Sequence, residues 1–204
     1  MEIQGIKFNY QSFINKIEEI VEAEKFSGEI PADSLQFFTM LNLKRMQRLN
    51  KTLLLDAQLL LNLKKLSVKQ NWVVITETWC GDSAQILPVI AKIAEASSQN
   101  ISLNIITRDE NPEWISKYHT NGSHSIPKLI GFDESGKELF VWGPRPVMAQ
   151  SLFINWKANN NGKAWKDFEK ELHTWYVKDK TNSTQLEINK IIQGYAQNDY
   201  SVSA

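Results

Sequence analysis

The chain has 204 residues, of which 42% are hydrophobic, and this is enough to form one domain with a buried core. Basic and acidic residues balance at 23 each, so no overall charge favours nucleic acid or an acidic membrane surface. The N-terminal residues do not resemble a signal peptide, and no stretch approaches the roughly 20 apolar residues of a membrane span. We therefore expect a cytoplasmic protein that binds neither nucleic acid nor membrane.

The first third of the chain is predicted to be helical. Apolar residues recur at helical spacing in residues 8–25, and Ser27-Gly28 is expected to break that helix. A second helix is predicted over 33–50. A third is predicted over 51–66, where leucines four residues apart form a broad apolar face. A face of this width is expected to pack against a sheet.

Strands and helices alternate in the rest of the chain. The predicted strands are 72–76, 101–107, 126–132 and 137–142, and the predicted helices are 80–98, 111–119, 146–158, 162–177 and 183–197. Strand–helix–strand units imply parallel pairing, whereas the turn before the last strand predicts an antiparallel hairpin. We predict an α/β fold in a single domain, with an N-terminal helical extension (1–69), a core (70–155) and a C-terminal helical extension (156–204).

The lone cysteine, Cys80, is expected where the first strand leads into a helix. A thiol there faces unpaired backbone amides and the positive end of the helix dipole, which stabilise a thiolate. Ser83 could donate a hydrogen bond to the sulfur and lower its pKa, whereas the charge of Asp82 would raise it. The sequence leaves the direction of the net pKa shift open. We expect a partly exposed thiol rather than a buried, inert one.

One cysteine excludes an intramolecular disulfide and a metal site built from several thiolates. His124 could approach Cys80 as a base or as a cationic partner, although a solvated loop histidine is the favoured interpretation. A site made of these two residues would have too few ligands to hold a metal. The sequence therefore predicts no metal and no cofactor.

Several motifs occur in the order found in the thioredoxin superfamily. Trp79-Cys80-Gly81 resembles the start of the thioredoxin WCGPC active site, and Pro88 lies where thioredoxins carry the proline of the active-site helix. Ile126-Pro127 resembles the Ile–cis-Pro pair beside that site, Gly143 resembles the glycine that ends the last strand, and residues 109–112 resemble a conserved turn. The resemblance covers roughly residues 70–155.

A narrower resemblance is to a bacterial thioredoxin-like family that has a helical N-terminal extension and a single active-site cysteine. The segments that resemble it are LNLKRMQRLNK, ITETWCGDSAQ, TRDEN, TNGSHSIPKLI and WGPRP. The resemblance implies a three-layer thioredoxin-like fold with a cis bond before Pro127. It also implies that the backbone of Ile126 binds an extended partner, as in β-augmentation.

The departures from the thioredoxin pattern concern the second thiol and its support. Ser83 replaces the resolving cysteine, Asp82 replaces the proline between the cysteines, and Val74 replaces a buried carboxylate. Release of a mixed disulfide normally requires a second thiol, so dithiol reductase activity is not expected.

Three functions are compatible with the motifs. The leading hypothesis is a monothiol protein, in which Cys80 forms transient mixed disulfides with a protein or small thiol and Ser83 orients the sulfur. The first alternative is a non-redox binding module that uses the groove around Pro127. The second is a glutathione-dependent, glutaredoxin-like oxidoreductase, although the Gly-Gly-Asp pattern of glutaredoxins is absent after the hairpin. The sequence leaves the oligomeric state open.

Further charged residues are expected at the rim of the site. Arg145 could pair with Asp82 or hold a ligand carboxylate, because a guanidinium matches carboxylate geometry. Arg108 and Asp109 follow the neighbouring strand and are placed on the same rim. Two other groups are expected to be structural, namely a solvated basic stripe and a set of core tryptophans. They are Lys44, Arg45, Arg48 and Lys51, and Trp156, Trp165 and Trp175.

Overall fold

The computed structural model describes residues 3–24 and 30–196 of the chain, and those residues form eight helices and four strands. The helices are α1 (Tyr10–Glu24), α2 (Leu35–Thr52), α3 (Ala57–Lys65), α4 (Gly81–Ala96), α5 (Pro112–Lys117), α6 (Val147–Ala158), α7 (Trp165–Asp179) and α8 (Asn182–Ala196). The strands are β1 (Gln70–Thr76), β2 (Ile101–Thr107), β3 (Lys128–Asp133) and β4 (Glu138–Trp142). The predicted helix break at Ser27-Gly28 lies outside the described residues.

The four strands form one mixed sheet in the order β2-β1-β3-β4. β1 and β2 are parallel, whereas β3 is antiparallel to both β1 and β4. The parallel pairing of β1 with β2 and the antiparallel hairpin of β3 and β4 are as predicted. The strand that follows α5 is β3, and it pairs antiparallel to β1 rather than parallel as a strand–helix–strand unit implies. Helices from the N-terminal and C-terminal parts of the chain flank this sheet. The α/β fold class predicted from the sequence is therefore confirmed.

Alternate residues of β1 face two different apolar clusters. Trp72 and Val74 belong to a large cluster that includes α4 and most of the N- and C-terminal helices. Val73 and Ile75 belong to a smaller cluster with residues of α5 and with Cys80. This alternation is expected for a strand that is buried on both faces. The sheet therefore separates a thick helical layer from a thin one, and Cys80 packs with the thin one.

The predicted start of the helix over 51–66 is wrong, because one helix ends at Thr52 and the next begins at Ala57, so that α3 covers only the later part of this range. Asp56 caps the start of α3, where its carboxylate accepts the amide hydrogens of Gln58 and Leu59 at 2.9 and 3.1 Å. An aspartate stabilises a helix more as a cap than in its interior. The leucine spacing continues across the break, so the sequence pattern did not indicate that the helix ends there.

We predict that the helical extension shares one cooperative core with the sheet. Leu59 is fully buried, whereas Leu61 on the same helix is 50% exposed. Leu59→Ala should lower the free energy of unfolding by about 2–5 kcal/mol, because it leaves a cavity. Leu61→Ala should change it by less than about 0.5 kcal/mol. Urea denaturation measures both, and equal effects would contradict the shared core.

Candidate thiol site

Cys80 lies where β1 meets α4 and is the N-cap residue of that helix. Its backbone is extended (φ −75°, ψ 114°), and its carbonyl accepts the amide hydrogen of Ala84 at 3.2 Å. The preceding loop is held by α2, since the Asn42 side-chain amide donates to the carbonyl of Thr78 at 3.0 Å. The sulfur is thus attached at a helix N-terminus, as the sequence predicted.

The thiol itself is buried. Cys80 is only 8% exposed, and its Sγ donates a hydrogen bond of 3.5 Å to the carbonyl of Ile126. Trp114 and Ile126 pack in the same apolar cluster. The prediction of a partly exposed thiol is therefore wrong, because side chains from α5 and from the loop before β3 cover the sulfur.

Burial decides the direction of the Cys80 pKa shift. Burial raises the pKa to about 11, and the negative charge of Asp82 acts in the same direction. Ser83 and the Arg145 guanidinium lower the pKa but do not offset these effects. The Ser83 hydroxyl accepts the hydroxyl hydrogen of Thr76 at 2.6 Å, which leaves its own hydrogen available to the sulfur. The resting thiol is therefore protonated at neutral pH.

Asp82 is the buried charge of the site. It forms an ion pair with Arg145, with Nη2 and Oδ2 2.6 Å apart, and it accepts the hydroxyl hydrogen of Tyr176 at 2.8 Å. Arg145 in turn donates to Gln150 at 3.2 Å and lies over the ring of Phe153, with Cζ 4.7 Å from the ring centroid. Of the two alternatives for Arg145, pairing with Asp82 is the one found.

The partners of Asp82 hold their protons. Burial raises the pKa of Tyr176 well above its usual value, and the charge of Asp82 raises it further. Burial by itself would lower the pKa of Arg145. The interactions with Asp82, Tyr176 and Cys80 outweigh that effect, so the pKa is raised. A buried carboxylate with two such partners is compensated within the protein.

Gly81 is covered by side chains from both extensions. A Cβ atom there would lie 2.8 Å from Nε2 of His173 on α7 and 3.4 Å from Nη1 of Arg45 on α2. Nδ1 of His173 also lies 3.3 Å from Nε2 of Gln85. Burial and the charges of Arg45 and Arg145 lower the pKa of His173 to about 3. The expectation that Arg45 lies on a solvated face is wrong, because α2 packs against α4 and turns it inward.

Tyr176 and His173 were not identified from the sequence. Phe168, Leu172 and Tyr176 are spaced four residues apart and all face the core. A tyrosine in a buried stripe needs a hydrogen-bond partner, and this was the available signal. The partner is Asp82, 94 positions away in the chain, and no local pattern indicates it.

The loop before β3 lies close to the thiol. The Ile126–Pro127 peptide bond is cis. Gly143, at the end of β4, has a φ of +106°, and a Cβ atom there would lie 2.5 Å from the carbonyl oxygen of Pro127. Glycine is therefore required both by the backbone conformation and by the close approach. Among the described residues, the amide of Ile126 donates no hydrogen bond.

The remaining predicted residues lie at the rim or away from the thiol. Arg108 pairs with Asp109 at 2.9 Å, and its Cζ lies 4.9 Å from the centroid of the Trp79 ring. His124 is exposed, and its Nε2 lies 3.5 Å from the Ser116 hydroxyl. Within the described ranges, no contact joins His124 to the cysteine, and no group of three or more potential metal ligands occurs.

Other structural expectations had mixed outcomes. Trp165 is 47% exposed and is not a core residue, whereas Trp156 and Trp175 are partly buried against the large cluster. None of the helices in 3–24 or 30–196 is both long enough and apolar enough to cross a membrane.

The mixed sheet, with a helix N-terminus that carries a cysteine against a cis-proline loop, defines an α/β protein with a thioredoxin-type site. The sequence model of a family described as thioredoxin matches residues 28–157. The thioredoxin of Alicyclobacillus acidocaldarius is 39% identical over 76 residues, which are 36% of this chain and 70% of that protein. Thioredoxin 1 of Nostoc sp. is 34% identical over 76 residues, with shares of 36% and 68%. This chain belongs to the thioredoxin family.

A solved structure shows the same fold over nearly the whole chain. It is the crystal structure of a protein of unknown function from Pseudomonas aeruginosa, with a TM-score of 0.59 and 17% sequence identity. The match covers 93% of each chain. At this identity the likeness concerns the fold alone.

We predict that removing one partner of the ion pair between Asp82 and Arg145 strongly destabilises the fold. Arg145→Met should lower the free energy of unfolding by about 3–5 kcal/mol, because it leaves a buried carboxylate without its counter-charge. Adding Asp82→Asn to that variant should recover part of the loss.

Arg108→Met is the matched control, since the Arg108–Asp109 pair is more exposed and should be worth less than about 1 kcal/mol. Urea denaturation of the wild type, Arg145→Met, Asp82→Asn and the double variant completes a double-mutant cycle, and Arg108→Met is measured beside them. Equal losses in Arg145→Met and Arg108→Met would contradict the assignment.

Proposed function

We propose that this protein binds an extended segment of a partner protein in the groove beside Ile126 and Pro127. The observation that carries the proposal is the free amide of Ile126 next to a thiol that is buried and protonated. A free amide at the rim of a sheet can pair with a partner backbone, as in β-augmentation. Among the residues that the structure describes, the carbonyl of Ile126 accepts a hydrogen bond only from the weak donor of Cys80, so a partner amide can replace it.

The resting thiol favours binding over redox chemistry. A thiol with a pKa of about 11 is ionised in only about one molecule in ten thousand at pH 7. Because the thiolate is the nucleophile in disulfide exchange, such a thiol reacts slowly. This reverses the order of the two leading hypotheses drawn from the sequence.

A monothiol function is the second candidate, and the position of the sulfur favours it. Sγ of Cys80 lies 3.5 Å from the carbonyl of Ile126, so a segment bound there would pass close to the sulfur. The Cys80 thiolate would attack a partner disulfide, form a mixed disulfide and release the other partner sulfur as a thiolate. Ser83 would orient the sulfur, and an external thiol would then attack the mixed disulfide and restore Cys80.

In either case residues 70–155 would carry the groove, and 1–69 and 156–204 would be extensions of the same domain. The resemblance to the bacterial thioredoxin-like family with an N-terminal helical extension supports this division. The contacts of Arg45 and Tyr176 at the first turn of α4 support a role for both extensions in shaping the site.

Affinity capture from cell lysate separates the two candidates. The baits are the wild type, Cys80→Ser, Ile126→Pro, which removes the amide donor, and Val141→Ser as a control at an exposed position on β4. Groove binding predicts the same partners for wild type, Cys80→Ser and Val141→Ser, with and without a reducing agent. Ile126→Pro should lose them.

A second measurement covers the case in which Ile126→Pro does not fold. A peptide from the captured partner should protect the Ile126 amide of the wild type from hydrogen exchange, as measured by NMR. Partners that disappear in Cys80→Ser or under reduction would favour the mixed-disulfide function instead. An Ile126 amide that exchanges equally fast with and without the peptide would overturn both groove-based proposals.

A further inference from the structure

A cavity of about 900 Å³ lies between α2 and α7, away from the groove beside Ile126. Its walls are largely apolar and come from both extensions. They include Phe37, Phe38 and Leu41 on α2, and Trp165 and Val177 on α7. A cavity of this size lies within the range of roughly 300–1,000 Å³ that holds small organic ligands.

Two opposite charges line the cavity. Burial lowers the pKa of Arg45 and raises the pKa of Glu169, so both groups have lost part of their hydration. The two charges attract each other, but no ion pair within 4 Å joins them among the described residues. Arg45 donates to Asn42 at 2.8 Å, and Glu169 lies 3.8 Å from Nε2 of His173, which is neutral at pH 7.

The exposed charged residues that line the cavity cancel one another. Asp33 and Asp167 are acidic, and Lys166 and Lys170 are basic. The half-buried charges therefore decide which ligand is complementary. A ligand with one negative charge would pair with Arg45 but be repelled by Glu169. A ligand with one positive charge would pair with Glu169 but be repelled by Arg45. A neutral apolar molecule would desolvate both charges further without giving either of them a new contact.

We propose that this cavity binds a small zwitterion with an apolar body, in the class of the aromatic amino acids. The carboxylate of the ligand pairs with the Arg45 guanidinium, and its ammonium pairs with the Glu169 carboxylate. The apolar body lies against Trp165 and the phenylalanines of α2. Both charges of the protein are then compensated by one molecule, and the apolar walls exclude water from the pairs.

This site is distinct from the proposed partner groove, although the two are close. Arg45 and His173 cover Gly81, the residue after Cys80, whereas the sulfur itself points to Ile126. Binding in the cavity requires no reaction at the thiol. The ligand is therefore expected to bind Cys80→Ser as tightly as the wild type, and failure of either functional candidate leaves this site unaffected.

Three related probes test the charge requirement by isothermal titration calorimetry. They are tryptophan, which carries both charges, indole-3-propionate, which carries only the carboxylate, and tryptamine, which carries only the ammonium. Tryptophan should bind at least about tenfold more tightly than either of the others, since each lacks one charge-assisted contact. Arg45→Gln and Glu169→Gln should each weaken tryptophan binding by about tenfold or more.

Matched controls are Lys44→Gln on α2 and Glu171→Gln on α7. Each removes a charge of the same sign as the corresponding cavity variant does, but at an exposed position outside the cavity. They should bind tryptophan as the wild type does. Thermal melting of each variant confirms that it is folded. Absence of tryptophan binding at millimolar concentration, equal affinity for a singly charged probe, or unchanged affinity in Arg45→Gln would each overturn the proposal.

Discussion

The buried carboxylate of Asp82 is the constraint on which the rest of this site depends. A charge that has left water must be compensated, and here Arg145 and Tyr176 compensate it from the end of β4 and from α7. The hydrogen bond from Tyr176 holds α7 against the first turn of the helix that carries the cysteine. The same negative charge adds to the larger effect of burial, so Asp82 both holds Arg145 and Tyr176 at the site and helps to raise the pKa of Cys80.

The two helical extensions meet at this turn and give it a second surface. Arg45 and His173 cover Gly81 on the side away from the sulfur, and the gap between their helices is the large cavity. A thioredoxin-family site is thus enclosed from one side by α2 and α7, while the loop of Ile126 covers the sulfur. The shape of the cavity follows from how α2 and α7 pack, whereas the burial of the thiol follows from α5 and the loop of Ile126.

The sequence predicted the features that depend on local pattern. Short β-branched strands, helical spacing and the motif around Cys80 placed the sheet, the active-site helix and the Ile126–Pro127 loop. The burial of Cys80 and the partnership of Asp82 with Tyr176 depend on residues far apart in the chain, and side-chain periodicity carries no such information. Arg145 is intermediate, since its expected place at the rim and its guanidinium allowed pairing with Asp82 to be proposed but not chosen. Asp56 was missed although its capping contacts are local. The regular spacing of the leucines around it indicated a continuous helix instead.

The central claim is that the fold holds Cys80 as a protonated thiol, and one titration tests it directly. Because the chain has a single cysteine, labelling cysteine with ¹³C at Cβ gives one resonance to follow by NMR. We predict that this resonance does not titrate between pH 6 and about pH 9, and that its midpoint lies at about 11. A midpoint at or below about 8.5, the value of a free thiol, would contradict it.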